Sequence, residues 1–283
     1  MNICLLYARW ASLEQKTVIN FKLRDFDKIN AVGQEPNLYL SWFWLTEGDL
    51  WLKFDNQTIY EYSAEALQHF GDKQSPYNDY YIVRFLEDFT ELFEKICVSI
   101  PNNFYRLTES IQQFRNDAKK WLDIYDKDED EYSDFYFNEY DKLISWTYER
   151  LFDSGHLIGG PHLSFFRHKD KIRIVWDTEH TLENGINLWK AKDGNFEMNY
   201  SDFISEVKNF GLSFFESMEK QIDLTLSKDW GDIKVDKERL IEEHKERKQE
   251  FNKNLFFLEN EINDETDWVG IEKLYNRMKN EIK

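Results

Sequence analysis

The sequence predicts a folded α+β protein in which an antiparallel strand meander and hairpins pack with long amphipathic helices. Three observations support this class: segments with a two-residue apolar period, longer segments with apolar residues three and four apart, and an aromatic content of 17%. Disordered chains lack such aromatic residues. Because large rings bury much area, we expect a core rich in Phe, Tyr and Trp.

The first predicted strands precede residue 63 and form the meander. They share alternating or β-rich composition and turn residues at their ends, and they are 18–23, 38–45, 50–54 and 58–62. A turn is predicted at 46–49. Alternation in the second strand places Trp42 and Trp44 on one face and apolar residues on the other, so we expect that strand to be central and covered on both sides.

Helices are predicted from capping residues and apolar stripes. Ser63 is expected to cap a short helix that ends at Gly71, and Ser75 and Pro76 to begin a longer one. The stripe of the longer helix consists of Ile82, Phe85, Phe89, Leu92 and Ile96. Further helices are predicted at 111–124, 135–151 and 201–222, and the last of them carries such a stripe.

A second β segment is predicted between these helices, together with a domain boundary after them. One hairpin is expected to join 162–167 to 172–176, and another to join 188–191 to 195–198. We divide the chain into an α+β domain at 1–226 and a C-terminal extension at 227–283. The extension carries two apolar stripes separated by a polar break, which indicates a helical hairpin.

The charge and cysteine content restrict the classes of function. Asp and Glu number 54 against 36 Lys and Arg, which gives a net charge of −18, and such a field repels phosphate backbones and attracts basic proteins. The two cysteines have no motif spacing, and no apolar run is long enough to span a membrane. We therefore expect a cytoplasmic protein with another protein as its partner, without direct contact to nucleic acid or membrane.

The sequence contains no known catalytic or metal-binding motif. Three aspartates in 126–130 imitate a calcium loop, but Glu131 and Phe137 stand where the loop needs Gly and Glu. The six histidines lack zinc-site spacing, and there is no phosphate-binding loop or nucleophile elbow. No metal or cofactor is therefore expected. The acidic stretch 123–141, which is interleaved with Tyr and Phe, is interpreted as a solvated surface.

Six segments carry distinctive motifs: 40–48 (LSWFWLTEG), 59–63, 76–88 (PYNDYYIVRFLED), 155–157, 161–167 with Trp176 and Asp177, and 195–210. Together they resemble a bacterial family catalogued as domain of unknown function 5984. The resemblance covers about 19–222 and implies a fold and an intracellular bacterial origin. The family brings no assigned activity, so the function must be argued from the site.

One group of candidate binding residues is expected on a single helix. It consists of Asp79, Tyr80 and Arg84, and Arg84 can reach the acidic residues one turn later, Glu87 and Asp88. The competing interpretation, which we favour, is that the arginine and its acidic partner are structural.

A second group lies on the predicted strands. Its members are Trp42, Trp44, Trp176 and Asp177. The rings could line a pocket for a ligand or partner, with Asp177 at a strand end as its polar group. Core packing of the tryptophans is the competing interpretation and again the favoured one.

Two functional hypotheses remain open. The preferred one is a non-catalytic protein-binding module, such as an immunity protein that neutralises a basic toxin or another defence-associated protein. The alternative is a small-molecule enzyme or sensor with a pocket between the meander and the long helices, where Asp79, Arg84 and Asp177 would supply the polar groups. The C-terminal helices could also pair with a second copy of the chain.

Overall fold

The computed structural model describes residues 17–71, 75–125, 134–157, 159–260 and 262–282. The strands are β1 (Ile19–Leu23), β2 (Tyr39–Leu40), β3 (Glu47–Phe54), β4 (Gln57–Ile59), β5 (Asn78–Tyr81), β6 (Leu151–Phe152), β7 (His162–His168), β8 (Lys171–Asp177), β9 (Gly194–Asn199) and β10 (Lys234–Val235). The α-helices are α1 (Ala64–Phe70), α2 (Ile82–Thr90), α3 (Phe93–Ile96), α4 (Asn102–Leu107), α5 (Ile111–Tyr125), α6 (Asp141–Tyr148), α7 (Tyr200–Ser227), α8 (Lys237–Glu259) and α9 (Trp268–Glu281). The predicted α+β class is confirmed.

The first sheet is built around β3. β1 pairs with β3 on one side, and β4 and β5 pair with it on the other, all antiparallel. The hairpin from β3 to β4 turns at Asp55, which has a positive φ of 47°. The strands predicted at 18–23 and 50–54 are confirmed. Because β3 already begins at Glu47, the turn predicted at 46–49 is wrong.

The central strand predicted at 38–45 is also wrong. Only β2 is extended there, and it pairs in parallel with β10, while Phe43–Thr46 forms a 3-10 turn. The Thr46 hydroxyl donates to the Phe43 carbonyl oxygen (2.7 Å) and closes that turn. A short apolar run has no period that separates a strand from a helical turn, so packing decides the outcome. Trp42 packs against Phe214 of α7, with ring centroids 6.2 Å apart.

The helix predicted from Ser75 begins later, at Ile82. The preceding residues form β5, because their backbone pairs with β3 and the Asn78 N–H donates to the Tyr60 carbonyl oxygen (2.8 Å). Partners on a neighbouring strand therefore override the capping pattern of Ser75 and Pro76. The predicted stripe is nevertheless largely buried, on α2 and α3. The shorter helix at α1 is confirmed, with Ser63 Oγ accepting from the Ala66 N–H.

The second sheet has the order β6-β7-β8-β9 and is antiparallel throughout. The predicted hairpin of β7 and β8 is confirmed, with pairing from His162–Asp177 to His168–Lys171. The other predicted hairpin is wrong, because β9 pairs with β8 and 188–191 is not a strand. The backbone of 188–191 makes hydrogen bonds to another part of the chain instead: the Lys190 N–H donates to the Glu61 carbonyl oxygen (2.9 Å).

The longest helices pack side by side. α7 buries its whole predicted stripe, which consists of Phe203, Val207, Phe210, Phe214, Met218 and Ile222. α8 lies close to α7 at Gly211, where a Cβ atom would come within 2.2 Å of the Phe251 ring. The predicted pair of C-terminal helices is confirmed: α8 packs on α7 and α3, and α9 on α5 and α6. The division of the chain at residue 227 stays a prediction.

The second sheet separates two hydrophobic clusters. Leu163, Phe165 and Ile174 point into one cluster, together with the first sheet, α2, α7 and α8. Phe166 points to the opposite face and into a second cluster, which is formed mainly by α4, α5, α6 and α9. This follows from the alternation of side chains along a strand. We call these four helices, with the π-helical turn Tyr136–Tyr140, the helical layer.

The helical layer bears out two further predictions. α5 confirms the helix at 111–124, and the π-helical turn with α6 accounts for most of the helix predicted at 135–151. Residues 126–133, which contain the imitation of a calcium loop, lie outside the described residues. Within the described ranges, no helix combines the length and apolar character that a bilayer crossing requires.

Candidate functional site

A cleft of about 610 Å³ lies between the second sheet and the helical layer. Its floor is formed by the ends of β7, β8 and β9, and its walls by α5 and α6. His162 pairs directly with Asp177 across the sheet, so their side chains share the face that carries the cleft. Arg115 of α5 and Tyr148 of α6 line the opposite side. Charged, aromatic and hydroxyl groups therefore converge in one concave site.

Arg115 joins three of the elements that form the cleft, α5, α6 and β7. Its guanidinium donates to the carbonyl oxygen (3.1 Å) and hydroxyl (3.3 Å) of Thr147 and to Ser164 Oγ (3.3 Å). It also lies 4.8 Å from the centroid of the Tyr148 ring. Burial lowers the pKa of Arg115, and the charges of Tyr148 and Asp177 oppose that change. The arginine thus fixes the cleft walls and gives the site a positive group.

The acidic side of the cleft is formed by Asp177 and Asp193. Asp177 Oδ1 accepts the nearby Glu179 N–H (3.2 Å), and the residue, which lines the cleft, is partly exposed. His162 Nε2 lies 3.4 Å from Asp153 Oδ1. Such a set can bind a small polar molecule by hydrogen bonds and charge. Among the described residues, no group of three or more His, Cys, Asp or Glu side chains is arranged to hold a metal ion.

Trp176 borders the same cleft, but its ring is part of the core. The ring stacks on Phe54 of the first sheet, with centroids 4.9 Å apart, and its Nε1 donates to the Lys192 carbonyl oxygen (2.7 Å). Consecutive residues of a strand point to opposite faces. Asp177 therefore reaches the cleft, while Trp176 joins the two sheets.

Trp42 and Trp44 do not share a face, because the strand that would align them is absent. Trp42 is fully buried, and its Nε1 donates to His244 Nδ1 of α8 (3.3 Å). Trp44 is half-buried and packs edge-on against Tyr81, with centroids 5.0 Å apart. Trp42 is thus part of the core, and Trp44 packs with Phe43 and Tyr81 as partly buried rings at the edge of the same core.

The expectation that Asp79, Tyr80 and Arg84 lie on one helix is wrong. Asp79 and Tyr80 are on β5, and Arg84 is on α2. Asp79 pairs with Arg24 (3.6 Å), whereas Arg84 lies 3.9 Å from both Glu87 and Asp88. All of these side chains are partly exposed, and exposed ion pairs add little stability. The structure thus places them in separate pairs at the surface.

His156 lies beside this group, although it was not among the candidate binding residues predicted from the sequence. Its ring stacks on Tyr80, with centroids 5.1 Å apart, and its Nδ1 lies 3.4 Å from Asp88 Oδ2. The side chain is only 9% exposed, and Nε2 has no hydrogen-bond partner within the described part of the chain. Burial lowers the pKa of His156, and the charge of Asp88 opposes this. Its sequence signals were its place in the motif at 155–157 and the glycine-rich context of 155–160.

The pocket expected between the meander and the long helices is a small apolar cavity. It has a volume of about 40 Å³, and of the described residues that line it, Tyr60 and Glu206 are polar and the others apolar. Such a volume has room for only a few water-sized molecules. None of Asp79, Arg84 and Asp177 lines it. The three residues expected to act together therefore do not meet there.

A buried polar network fixes the helical layer to the second sheet. Arg173 of β8 donates to the Tyr105 carbonyl oxygen (2.8 Å), Thr108 Oγ1 (3.0 Å), Glu109 (3.2 Å) and Glu197 (3.0 Å). The Tyr105 hydroxyl also donates to Glu197 Oε2 (2.8 Å). Because these acceptors come from α4, the following turn and β9, the network sets the position of the helices.

The outer side of the helical layer exposes aromatic and acidic residues together. We call Asp123, Ile124, Tyr125, Phe137 and Asp141 the acidic aromatic surface. Its two segments are joined where Phe135 stacks on Tyr125, with centroids 4.2 Å apart. Glu281 of α9 accepts from Trp121 Nε1 (2.7 Å) and the Tyr125 hydroxyl (2.8 Å). These hydrogen bonds, together with Arg277, lower the pKa of Glu281 to about 2.

Two antiparallel sheets, a long helix pair and a separate helical layer define an α+β protein with a polar cleft on its second sheet. The chain belongs to a family of unknown function, DUF5984, whose family model matches residues 18–274. The match extends beyond residue 222, where the resemblance in the sequence ends, and includes α8 and part of α9. No curated protein and no solved structure matches the chain.

Proposed function

We propose that the protein is a non-catalytic protein-binding module whose acidic aromatic surface engages a basic partner. The observation that carries the proposal is the exposure of large rings beside carboxylates. Phe137 is 57% exposed and Tyr125 is 41% exposed, on segments that also carry Asp123 and Asp141. Aromatic residues are enriched at protein interfaces, where burial of their apolar area stabilises the complex.

Charge complementarity supports a basic partner over a neutral one. The chain carries a net charge of −18, and the stretch around this surface is strongly acidic. Opposite potentials increase the rate of association and orient the partners, although salt screens exposed charges. The rings would then supply affinity and the carboxylates selectivity.

The surface is also held in place before any partner binds. Tyr125 is fixed by its stack on Phe135 and by its hydrogen bond to Glu281. Arg277 lies over the Tyr125 ring and pairs with Glu139. A preorganised surface loses less conformational entropy on binding, which favours higher affinity.

The proposal extends to the biological setting. The resemblance to a bacterial family and the acidic charge support a cytoplasmic immunity or defence-associated protein that neutralises a basic toxin or binds a basic component. The proposal includes no direct contact to nucleic acid or membrane. A homodimer through the C-terminal helices is a competing use of exposed apolar area, since Ile241 and Phe256 of α8 are both exposed.

The test is affinity purification of the tagged chain from cells of its source organism. Wild type is compared with Phe137→Ser and with Phe256→Ser, a control whose ring is 60% exposed on α8. We expect wild type and Phe256→Ser to retain a stoichiometric basic protein and Phe137→Ser to lose it. Absence of any stoichiometric partner, or loss only from Phe256→Ser, would contradict the proposal.

A second candidate function is a small-molecule enzyme or sensor, and one observation favours it. Asp177, His162 and Arg115 line a single cleft of about 610 Å³. The measurement is native mass spectrometry of the chain purified from its source cells, as wild type and as Asp177→Ala. A bound small molecule that is lost from the variant supports this function, and an identical mass for the bare chain in both samples argues against it.

A further inference from the structure

A second polar cavity lies on the other side of α6, away from the Asp177 cleft. It has a volume of about 640 Å³ and is lined by α3, α6, the connection before α9 and the start of α9. Its walls contain Arg150 and Trp146, which are each only 1% exposed. The cavity is independent of the acidic aromatic surface and of the proposed function.

Arg150 is a buried cation with few partners. Its Nη1 donates to the Trp146 carbonyl oxygen (2.9 Å), while Nε has no hydrogen-bond partner in the described ranges. Two carboxylates act on its charge: that of Glu149, which lies 4.0 Å from Nη1 and is itself paired with Lys95 (3.2 Å), and that of Asp264, which lines the same cavity. A guanidinium has five N–H donors, and leaving a buried charge unpaired is costly.

Trp146, which lines the same cavity, also has a buried donor that needs a hydrogen-bond acceptor. Its indole Nε1 is buried, and it too lacks a hydrogen-bond partner among the described residues. The indole N–H can only donate. Two buried groups that line one cavity therefore both require an acceptor, and the guanidinium favours an acceptor with negative charge.

Arg173 shows how the same chain treats a buried guanidinium with a structural role. It is 8% exposed at its side chain and has four acceptors for its two Nη atoms, two of them carboxylates. Arg150 is more deeply buried, yet among the described residues its Nη atoms have one acceptor, the Trp146 carbonyl oxygen. Nε lacks a hydrogen-bond partner within the described ranges in both arginines, so the contrast lies in the Nη atoms. Those of Arg173 are held by the fold, whereas those of Arg150 keep donors available to a ligand.

From this arrangement we infer that the Arg150 cavity binds a small molecule through a carboxylate group. The cavity rim carries carboxylates of its own, including Glu94 and Glu265, beside Lys95 and Lys142. A dianionic phosphate would be repelled by these carboxylates, whereas a ligand with one carboxylate and one ammonium group fits both the rim and Arg150. The ligand class is therefore a zwitterion of the amino-acid type.

The test is thermal unfolding of the full chain with glycine, sodium acetate or sodium phosphate, against sodium chloride at matched ionic strength. A ligand that binds only the folded state at ten times its Kd raises the Tm of a domain of this size by about 2–4 °C. We expect this rise with glycine in wild type and in Arg84→Met, an exposed control, and its loss in Arg150→Met. Arg150→Lys is the second variant, and it is expected to lose most of the rise because it lacks the guanidinium fork.

The outcomes separate the alternatives. A larger response to phosphate than to glycine would overturn the ligand class. A rise that persists in Arg150→Met, or no rise with any of the three probes in wild type, would overturn the site. Because the Arg150 variants leave the acidic aromatic surface intact, partner binding in the same proteins reports separately on the proposed function.

Discussion

The two faces of the second sheet differ in chemistry although they are made of the same strands. One face presents Leu163, Phe165 and Trp176 to the first sheet and to α7, in an aromatic core. The other presents Ser164 and Arg173, beside the buried ring of Phe166, to the helical layer, where the polar side chains form hydrogen-bond networks and border the Asp177 cleft.

This difference indicates where stability and recognition reside. Apolar burial is non-directional and large, so it suits the face that holds the two sheets together. Hydrogen-bond networks fix orientation and leave unused groups available for ligands. In our account the apolar face determines the stability of the protein, and the helical layer carries its contacts with other molecules.

The largest difference in unfolding free energy is expected between substitutions at two neighbouring residues that lie on opposite faces of the second sheet. Trp176→Ala removes a buried ring that stacks on Phe54, and we expect the unfolding free energy to fall by about 3–5 kcal/mol. Asp177→Ala on the cleft side should change it by no more than about 0.5 kcal/mol. Urea unfolding followed by circular dichroism measures both, and similar losses for the two variants would refute the division between the faces.

The two buried arginines, Arg173 and Arg150, allow a second comparison of unfolding free energies, between a structural arginine and one proposed to bind a ligand. Arg173→Met breaks hydrogen bonds to charged and neutral acceptors, and we expect a loss of about 2 kcal/mol. Arg150→Met removes a buried charge with little compensation, so its effect should lie within about 0.5 kcal/mol of zero. Equal losses in urea unfolding would show that both arginines are structural.

The pH dependence of stability tests the environment of His156. Burial lowers the pKa of this imidazole in the folded chain, so the unfolded chain binds the proton more readily. Stability is then complete above the unfolded pKa of about 6.5 and is lost as the pH falls below it, towards the folded pKa. His244, whose pKa is also lowered by burial, contributes in the same direction.

His156→Phe keeps the ring packing and removes the titrating group. When the pH is lowered from 7 to 5, we expect the unfolding free energy of the variant to fall less than that of wild type. The fall that remains in the variant is due partly to His244. The measurement is urea unfolding at several pH values. An unchanged slope in the variant would show that His156 is not protonated preferentially in the unfolded chain.

The smallest effect on stability is expected at the acidic aromatic surface. Phe137→Ser replaces a ring that is already mostly in water, so the unfolding free energy should change by less than about 0.5 kcal/mol. A loss close to that of Trp176→Ala would mean that the ring is part of the core. It would also remove the basis for assigning lost partner binding to the surface itself.

The sequence predicted those elements whose local pattern agrees with their packing. The α7 stripe, the β7–β8 hairpin and the Ser63 cap have unambiguous periods or capping chemistry. The elements around Trp42 and Ser75 were wrong because distant partners decide them: α7 and α8 for Trp42, and β3 for β5. A local window carries no information about such partners.

The candidate site was predictable only in part, for a similar reason. The sequence predicted Asp177 as a candidate because the alternation of apolar residues locates the end of a strand, and Asp177 is the polar residue at that end. Arg150 and His156 have no such signal, since their burial depends on α9 and α2, which are remote in sequence or separated by turns. The expected joint action of Asp79, Arg84 and Asp177 depended on strand and helix assignments that changed in the fold.

The most direct measurement of the central claim is hydrogen–deuterium exchange of the purified complex with its basic partner. If the helical layer carries recognition, binding should slow exchange at 121–125 and 134–141 and leave the exposed sides of α7 and α8 unchanged. Protection confined to α7 and α8, around Leu212 or Phe256, would contradict the account.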